Sequence, residues 1–217
     1  DAAMQATQGQ LIAANATGCL EVFSTPYPET SWQMPWIHSL FGNAAAVATG
    51  IAAAMRVKGR EEVRVVAQGG DGGTTDIGFG CLSGMFERND DVLYICYDNE
   101  AYMNTGVQRS SATPPAARTA TTMPVGPQPG NVFGQGKNLP RIAMAHEIPY
   151  VATATVADLR DLEYKVKKAM SFPETIKRFE ADGLDVVGST PEQAAATMAS
   201  ELKKWAVVIK ERGMRAD

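Results

Sequence analysis

The run from Gly69 to Gly106, GGDGGTTDIGFGCLSGMFERNDDVLYICYDNEAYMNTG, limits the possible folds of this chain more than any other segment. An apolar strand at 63–67 leads into a Gly-Asp-Gly turn and a helix of small residues. A second apolar strand at 92–97, Val-Leu-Tyr-Ile-Cys-Tyr, then ends on Asp98 and Asn99. Strand, turn, helix and strand in that order predict an α/β fold with a mainly parallel sheet flanked by helices. In open parallel sheets ligands gather beyond the carboxyl ends of the strands, and both polar clusters fall there. A glycine-rich turn lets backbone N–H groups approach phosphate oxygens, and the helix behind it offers a partly positive N-terminus. Asp71 and Asn99 supply the oxygen types that Mg²⁺ takes alongside a phosphate. Gly-Asp-Gly alone is an ordinary turn, and 92–97 alone a buried strand. Together they predict a diphosphate and metal site.

Beyond these residues the chain closely resembles the thiamine-diphosphate-binding beta subunit of 2-oxoacid:ferredoxin oxidoreductases, in particular the pyruvate and branched-chain members. The resemblance covers about residues 5–171. It is carried by NATGCLEVFSTPYPETSWQMPWIHSLFGNAAAVATGI (15–51), GDGGTTDIGFG (70–80), YICYDNEAYMNTGVQRSSATPPAARTATT (94–122) and LPRIAMAHEIPYVATATV (139–156). It implies that Asp71, the Asn99 side chain and the Ala101 carbonyl are Mg²⁺ ligands. It also implies that Gly70, Gly72 and Gly73 line the diphosphate, with Asn104 facing the thiazolium and substrate as the catalytic residue and Thr105 in the cofactor-binding set. Glu100 stands where the wider thiamine motif has a second Asn.

The implied chemistry belongs mainly to the cofactor. Deprotonated C2 of thiamine diphosphate attacks a 2-oxoacid, carbon dioxide leaves, and electrons pass singly through iron–sulfur centres to ferredoxin as coenzyme A takes the acyl group. The glutamate that activates the aminopyrimidine lies in this family on another subunit or domain. The resemblance therefore implies partners: a pyrimidine-binding subunit, a ferredoxin-like subunit and ferredoxin itself.

Cys19, Cys81 and Cys96 show no zinc spacing, and an odd count fits a reducing compartment. Cys81 and Cys96 read as buried small hydrophobes. In the resembled family the Cys of the NATGC block, here Cys19, is one of four thiolates on a [4Fe-4S] cluster. The family's paired cysteines upstream of residue 1, and a further one after the strand that should follow helix 158–171, have no counterpart here. Cys19 is thus a residual ligand of an incomplete set, and the chain is not expected to hold the cluster alone.

A formal net charge of −4 and the lack of a basic stretch argue against nucleic acid. No apolar run has the length of a membrane span, and residues 1–14 lack the features of a signal peptide, so a cytoplasmic protein is expected, although the chain opens on Asp1. At 217 residues it is long enough for one core plus an appendage.

Two divisions are expected: a thiamine-diphosphate-binding domain over 1–172, truncated relative to the family, and a strand-helix appendage over 173–217. Helix 158–171 has Asp158 as cap, an apolar face of Leu159, Leu162, Val166 and Met170, and a Glu163–Lys167 pair. The tail then ends in a helix capped by Thr190, with Pro191 first and Ala194, Met198, Leu202, Trp205 and Ile209 along one face. It resembles the C-terminus of tripartite tricarboxylate transporter solute receptors. That resemblance implies a junction near Phe172 and Pro173, whether a gene fusion, a rearranged or misassembled reading frame or a deliberate chimera, and leaves open a folded but inactive hybrid or a solute-receptor-related binding protein.

NAAAVATGIAAAM (43–55) reads as a core helix of small residues that approaches its neighbours closely. The proline-rich stretch 104–140 is expected to be functional through about Thr122 and mobile over 123–138. Arg109 reads either as a contact for a substrate carboxylate or partner subunit, or as a solvated surface residue. His38, beside Trp32 and Trp36, and His146 read as packed histidines, although the resemblance puts the PWIH segment near the cofactor.

Overall fold

The structure, a computed structural model, describes residues 1–171 apart from 27, 29, 31 and 124–133. These residues belong to one compact unit, Asp1–Thr175. The elements run α1 (Ala2–Ala6), β1 (Leu11–Ala16), α2 (Cys19–Ser24), β2 (Trp36–Ser39), α3 (Ala44–Val57) and β3 (Arg64–Gly70). A π-helix (Gly72–Ile77), α4 (Phe79–Glu87), β4 (Val92–Tyr97), β5 (Ala101–Tyr102), β6 (Gln108–Arg109), α5 (Leu139–Ala145) and α6 (Leu159–Met170) follow.

Four strands form a parallel sheet in the order β2-β1-β3-β4. The register sets Ala14 beside Ile37 and Ala67, and Ala67 beside Tyr94. The chain order crosses at β1, so the β1–β3 carboxyl ends open the crevice expected of such sheets. Side chains alternate across the pleat. On one face Ala14, Ala16, Val65 and Ala67 pack with Ala44 and Ala48 of α3. Leu82, Met85 and Phe86 of α4 extend that layer with Ala45 and Ala143. On the other face Leu11 and Val66 meet Met170 of α6, backed by Ala3 and Met4 of α1. The architecture is the predicted α/β fold.

Alanines dominate the first interface, so α3 sits close to the sheet, as its sequence predicts. Burying these methyls contributes little per residue, since each CH₂ removed from water is worth about 0.8 kcal/mol. Close approach is their larger effect, because it lets the Phe41–Gly42 segment ahead of α3 reach the end of the π-helix. Gly42 has φ +88°, and a methyl built there would stand 3.0 Å from the Gly78 backbone nitrogen.

Four sequence expectations need correction. β4 was expected as a buried strand, yet its residues are half-buried and Tyr97 is exposed, because β4 is the edge of the sheet among the described residues. The helix behind the glycine turn starts as a π-helix rather than an α-helix. Leu159, expected on the apolar face of α6, is exposed, whereas Met170 is buried. Lys137, within the stretch expected to be mobile, is tied to Ser111 by a backbone hydrogen bond of 2.9 Å. The Asp158 cap accepts from Asp161 N at 3.1 Å and the Glu163–Lys167 pair forms at 2.5 Å, as predicted. The tail readings, including the strand-helix appendage and the Thr190 cap, lie outside the described residues.

Candidate functional site

Beyond the carboxyl ends of β1, β3 and β4 lies a cleft of about 530 Å³. Its walls include Cys19, Gly70, Asp71, Gly72, Gly73, Asn99, Ala101, Asn104 and Thr105, so every residue singled out from the sequence for cofactor, metal or catalysis borders one space. β3 delivers Gly70 and Asp71, and β4 delivers Asp98 and Asn99. Parallel pairing brings these strand ends level, with Gly70 in register with Tyr97.

The glycine turn is clasped between two rings. Phe41 and Tyr102 lie with ring centroids 5.9 Å apart, and a methyl built on Gly73 would stand 3.7 Å from Phe41. A methyl on Gly72 would run into the Tyr102 ring, so only glycine fits there. The turn therefore exposes backbone rather than side chain to the cleft. Its π-helical form widens the backbone spiral at the same place, a deviation frequent at functional sites.

Asp71 Oδ1 and the Ala101 carbonyl both face the Asn99 side-chain amide. The terminal amide position of Asn99 that faces Asp71 Oδ1 at 3.0 Å and the Ala101 carbonyl at 2.7 Å is occupied by oxygen. Reversing the amide makes both contacts hydrogen bonds donated by its nitrogen. A cation among the three oxygens makes the same placement favourable without reversal. One carboxylate, one amide and one carbonyl thus fit a small hard cation. The local chain is bent to achieve this: Glu100, between two of the three, has φ +67°, and its N–H is held by Asp98 Oδ1 at 2.9 Å. A non-glycine residue in the left-handed region costs about 1–2 kcal/mol, the kind of strain found at functional sites.

Asp71 is 2 % exposed. Burial raises its pKa above the ordinary carboxylate value; a hydrogen bond from Ser110 opposes this and the nearby Asp98 charge adds to it. Ser110 Oγ donates to Asp71 Oδ2, and Asp71 O accepts from Thr75 Oγ1 at 2.8 Å.

A second carboxylate organises the loop over the turn. Asp76 Oδ2 accepts from Tyr102 OH at 2.9 Å and Ser111 N at 3.1 Å, while Oδ1 accepts from Ser111 Oγ and from Lys137 Nζ at 3.3 Å. Burial works to raise its pKa, but the bonds from Ser111, Tyr102 and Lys137 outweigh it and leave the pKa lowered. The loop itself carries buried Ser110, Thr113, Thr119 and Thr122. Their hydroxyls satisfy backbone groups, as in Ser110 N to Thr113 Oγ1 at 3.0 Å and Thr122 N to Thr119 Oγ1 at 3.0 Å. That is how a segment without regular structure is buried at modest cost.

Asn104 and Thr105 stand exposed at the rim, where Thr105 Oγ1 donates to Gln108 Oε1 at 2.6 Å. Arg109 lies in β6 and is not among the cleft's lining residues. His38 departs from the expected packed histidine: its side chain is 43 % exposed, and Nε2 lies 2.7 Å from Oγ1 of Thr17, a cleft residue. His146 is packed as expected, 3.2 Å from Ser83 Oγ and against Phe86. Cys81 and Cys96 are half-buried rather than buried. Cys81 joins the α4 core, while Cys96 borders the cleft, where burial pushes its thiol up to about 12. Four thiolates are not assembled around Cys19, for the chain has three cysteines in all, so its residues do not fit a four-thiolate cluster.

Asp76, Ser110, Ser111, Tyr102 and Lys137 escaped sequence reasoning. Asp76 looks like a routine helix acid, and the serines like loop residues; only their separation along the chain, bridged by the fold, gives them a common site.

Residues 16–178 match the family described as thiamine pyrophosphate enzyme, C-terminal TPP binding domain. Pyruvate synthase subunit PorB of Methanothermobacter thermautotrophicus is 56 % identical over 158 residues, covering 73 % of this chain and 54 % of that protein. PorB of Thermotoga maritima is 43 % identical over 210 residues, covering 92 % of this chain and 64 % of that protein. A solved 2-oxoglutarate:ferredoxin oxidoreductase from Magnetococcus marinus, with 2-oxoglutarate, coenzyme A and succinyl-CoA bound, superposes with a TM-score of 0.63 at 27 % identity. It covers 78 % of this chain and 55 % of its own. The chain thus spans about half the length of the curated relatives it matches. The Thermotoga match takes up more of the chain than residues 1–172 provide and so enters the tail. The chimera and its solute-receptor resemblance are without support.

Proposed function

The chain belongs to the thiamine pyrophosphate enzymes, through their C-terminal TPP-binding domain, and on that premise we propose that it is the diphosphate- and Mg²⁺-holding part of a 2-oxoacid:ferredoxin oxidoreductase. The observation that carries this reading is the convergence of the Asp71 carboxylate, the Asn99 side-chain amide and the Ala101 carbonyl at the mouth of a glycine turn. The similarity to PorB subunits supports pyruvate or a related 2-oxoacid as substrate, and favours this reading over an inactive hybrid or a solute receptor.

Asp71, Asn99 and Ala101 hold the cation in this reading, and the backbone of Gly70, Gly72 and Gly73 lines the diphosphate. When bound, thiamine diphosphate supplies the nucleophile and electron sink for oxidative decarboxylation. Phe41 and Tyr102 fix the turn against movement and exclude water from its flanks. In this reading Asn104, which borders the cleft with Thr105, contacts the reacting end. Cys19 borders the cleft as a residual iron–sulfur ligand, and a [4Fe-4S] cluster requires thiolates from elsewhere. The remaining parts, a pyrimidine-binding subunit, a ferredoxin-like subunit, ferredoxin and coenzyme A, are supplied by partners. Three cysteines without a disulfide favour the reducing cytoplasm.

Calorimetric titration of the chain with thiamine diphosphate and Mg²⁺ tests the reading. Metal-dependent binding is expected in the wild type and its loss in Asp71→Ala. Binding that survives Asp71→Ala unchanged would refute the site.

A further inference from the structure

We propose that Ser110 is a positioning residue for the metal end of the cleft, held in place by Asp76 through the neighbouring Ser111; the inference rests on the reading of Asp71 as a cation ligand. A carboxylate has two oxygens, and a site built from three convergent oxygens needs only one of them. Left to rotate about its Cβ–Cγ bond, the Asp71 carboxylate would present either oxygen, or both, to the cleft. Ser110 removes that freedom. Its hydroxyl donates to Oδ2 of Asp71, which leaves Oδ1 as the oxygen facing the Asn99 amide. Both residues are buried, Ser110 at 0 % and Asp71 at 2 % exposure, so water does not compete for the bond.

The hydroxyl is itself fixed from both sides. Ser110 Oγ also accepts from Ala112 N at 3.1 Å, which orients its hydrogen towards the carboxylate. Ser110 N donates to Thr113 Oγ1 at 3.0 Å, and Thr113 Oγ1 donates to the carbonyl of Glu100, the residue between the other two cation-facing groups. Ser110 and Thr113 thus connect all three oxygens: directly to Asp71, and through Glu100 to Asn99 and Ala101. Ser111, next in the chain, is clamped by Asp76 through both its backbone N–H and its hydroxyl. Asp76 simultaneously holds Tyr102, the residue after Ala101. One carboxylate therefore pins Tyr102 and Ser111, the chain neighbours of Ala101 and Ser110. Groups that hydrogen-bond metal ligands without touching the metal typically change metal affinity by about 10–100-fold when removed.

Mn²⁺, an EPR-active substitute for Mg²⁺, is titrated into the full chain with thiamine diphosphate present, using wild type, Asp71→Ala, Ser110→Ala, Ser110→Thr and Asp76→Asn. Ser110→Ala is expected to weaken Mn²⁺ binding about 10–100-fold and to broaden the bound-ion spectrum as the carboxylate gains freedom. Ser110→Thr, which retains the donating oxygen, is expected to recover most of the affinity, a rescue that a mere packing role would not give. Asp76→Asn, a change at the rim that keeps side-chain size, is expected to weaken binding several-fold in the same direction, and it carries the test if the buried Ser110 variants fail to fold. Wild-type affinity and spectrum in folded Ser110→Ala, or in Asp76→Asn, would overturn the inference while Asp71→Ala still abolishes binding. Absence of Mn²⁺ binding in the wild type, or its persistence in Asp71→Ala, would instead overturn the reading of Asp71 and the inference with it.

Discussion

Replacing Gly78 by alanine is expected to damage the fold and the site together, while the same change at Gly50 improves stability. Gly78 is buried where the π-helix passes into α4, with φ −89°, so its backbone conformation admits alanine. The obstacle is steric. A methyl there would stand 2.5 Å from the Gly42 carbonyl oxygen and 2.9 Å from Gly42 Cα, where ordinary contact begins at 3.4 Å. Both are backbone atoms, so no rotamer change relieves the overlap and the two segments must part by most of an ångström. Overpacking of a tight interior costs typically about 1–3 kcal/mol, and the absence of side-chain relief puts Gly78→Ala near the top, about 3 kcal/mol. For a domain of this size that is a fall in Tm of roughly 6–12 °C. Gly50 sits exposed in the middle of α3 with nothing within 4 Å of a built methyl. There alanine is expected to gain about 0.5–1 kcal/mol from helix propensity alone. Thermal and urea unfolding followed by circular dichroism compare the two, and titration with thiamine diphosphate reads the site. If Gly78→Ala melts within about 2 °C of wild type, or Gly50→Ala loses as much as Gly78→Ala, the steric reasoning is wrong.

Three shorter predictions concern single side chains. Because Asp76 has a lowered pKa in the fold, its stabilisation is present above the ordinary carboxylate value and is lost as pH falls through the lower folded value. Asp76→Asn should therefore be less stable near neutrality and show a flatter loss of stability below about pH 4, as urea midpoints across an acid pH series will reveal. Cys96, with its thiol pushed up to about 12, is expected to remain a thiol at pH 8 and to be alkylated by iodoacetamide far more slowly than free cysteine, read by mass spectrometry; labelling at the free-thiol rate would contradict its burial. With three cysteines, of which Cys81 is committed to the α4 core, the chain alone is expected to take up no stoichiometric [4Fe-4S] cluster on anaerobic reconstitution with iron and sulfide. A full complement of broad visible absorption would disprove this.

β3, β4, α3, α4 and α6 were legible because their signals are local, whereas β1, β2 and the short elements were not read from the sequence. Val92–Tyr97 is an uninterrupted apolar run, Asp158 is a capping residue before an amphipathic segment, and Asn43 precedes a run of alanines. The edge position of β4 is a property of sheet order, and a buried run and a half-buried edge of the same residues look alike in sequence. For the site, Asp71 and Asn99 could be paired because a turn and a strand end in the same crevice. Asp76 could not be paired with Ser111, 35 positions away, since no periodicity links a residue in a π-helix to one in a loop. His38 illustrates the opposite failure. Its aromatic neighbours Trp32 and Trp36 suggest a packed environment, and Trp36 does stand 5.8 Å from its ring, but β2 is the other edge of the sheet among the described residues and leaves the imidazole facing Thr17.

The composition of the three-oxygen cluster also says how it must work. Asp71 is its only charged member, so the protein offers a divalent cation a single negative charge and two neutral oxygens. Mg²⁺ gives up its waters reluctantly and is generally held by one or two carboxylates together with phosphates rather than by a cage of protein alone. Asp98, close enough to help raise the pKa of Asp71, adds negative field without sharing the cluster. That repulsion raises the cost of the Asp71 charge, and a cation at the site would relieve it. On the proposed reading the protein part of the site is insufficient by itself: too weak in charge to retain the metal alone, and too negative to favour a diphosphate alone. On that reading metal and diphosphate would complete each other's coordination, and the coupling between them would be reciprocal by linkage. The glycine turn fits this logic, since Gly72 and Gly73 bring only backbone to the cleft and add no charge of their own. A lysine or arginine in the turn would hold phosphate without metal and remove the coupling, and the Tyr102 ring against Gly72 leaves no room for either.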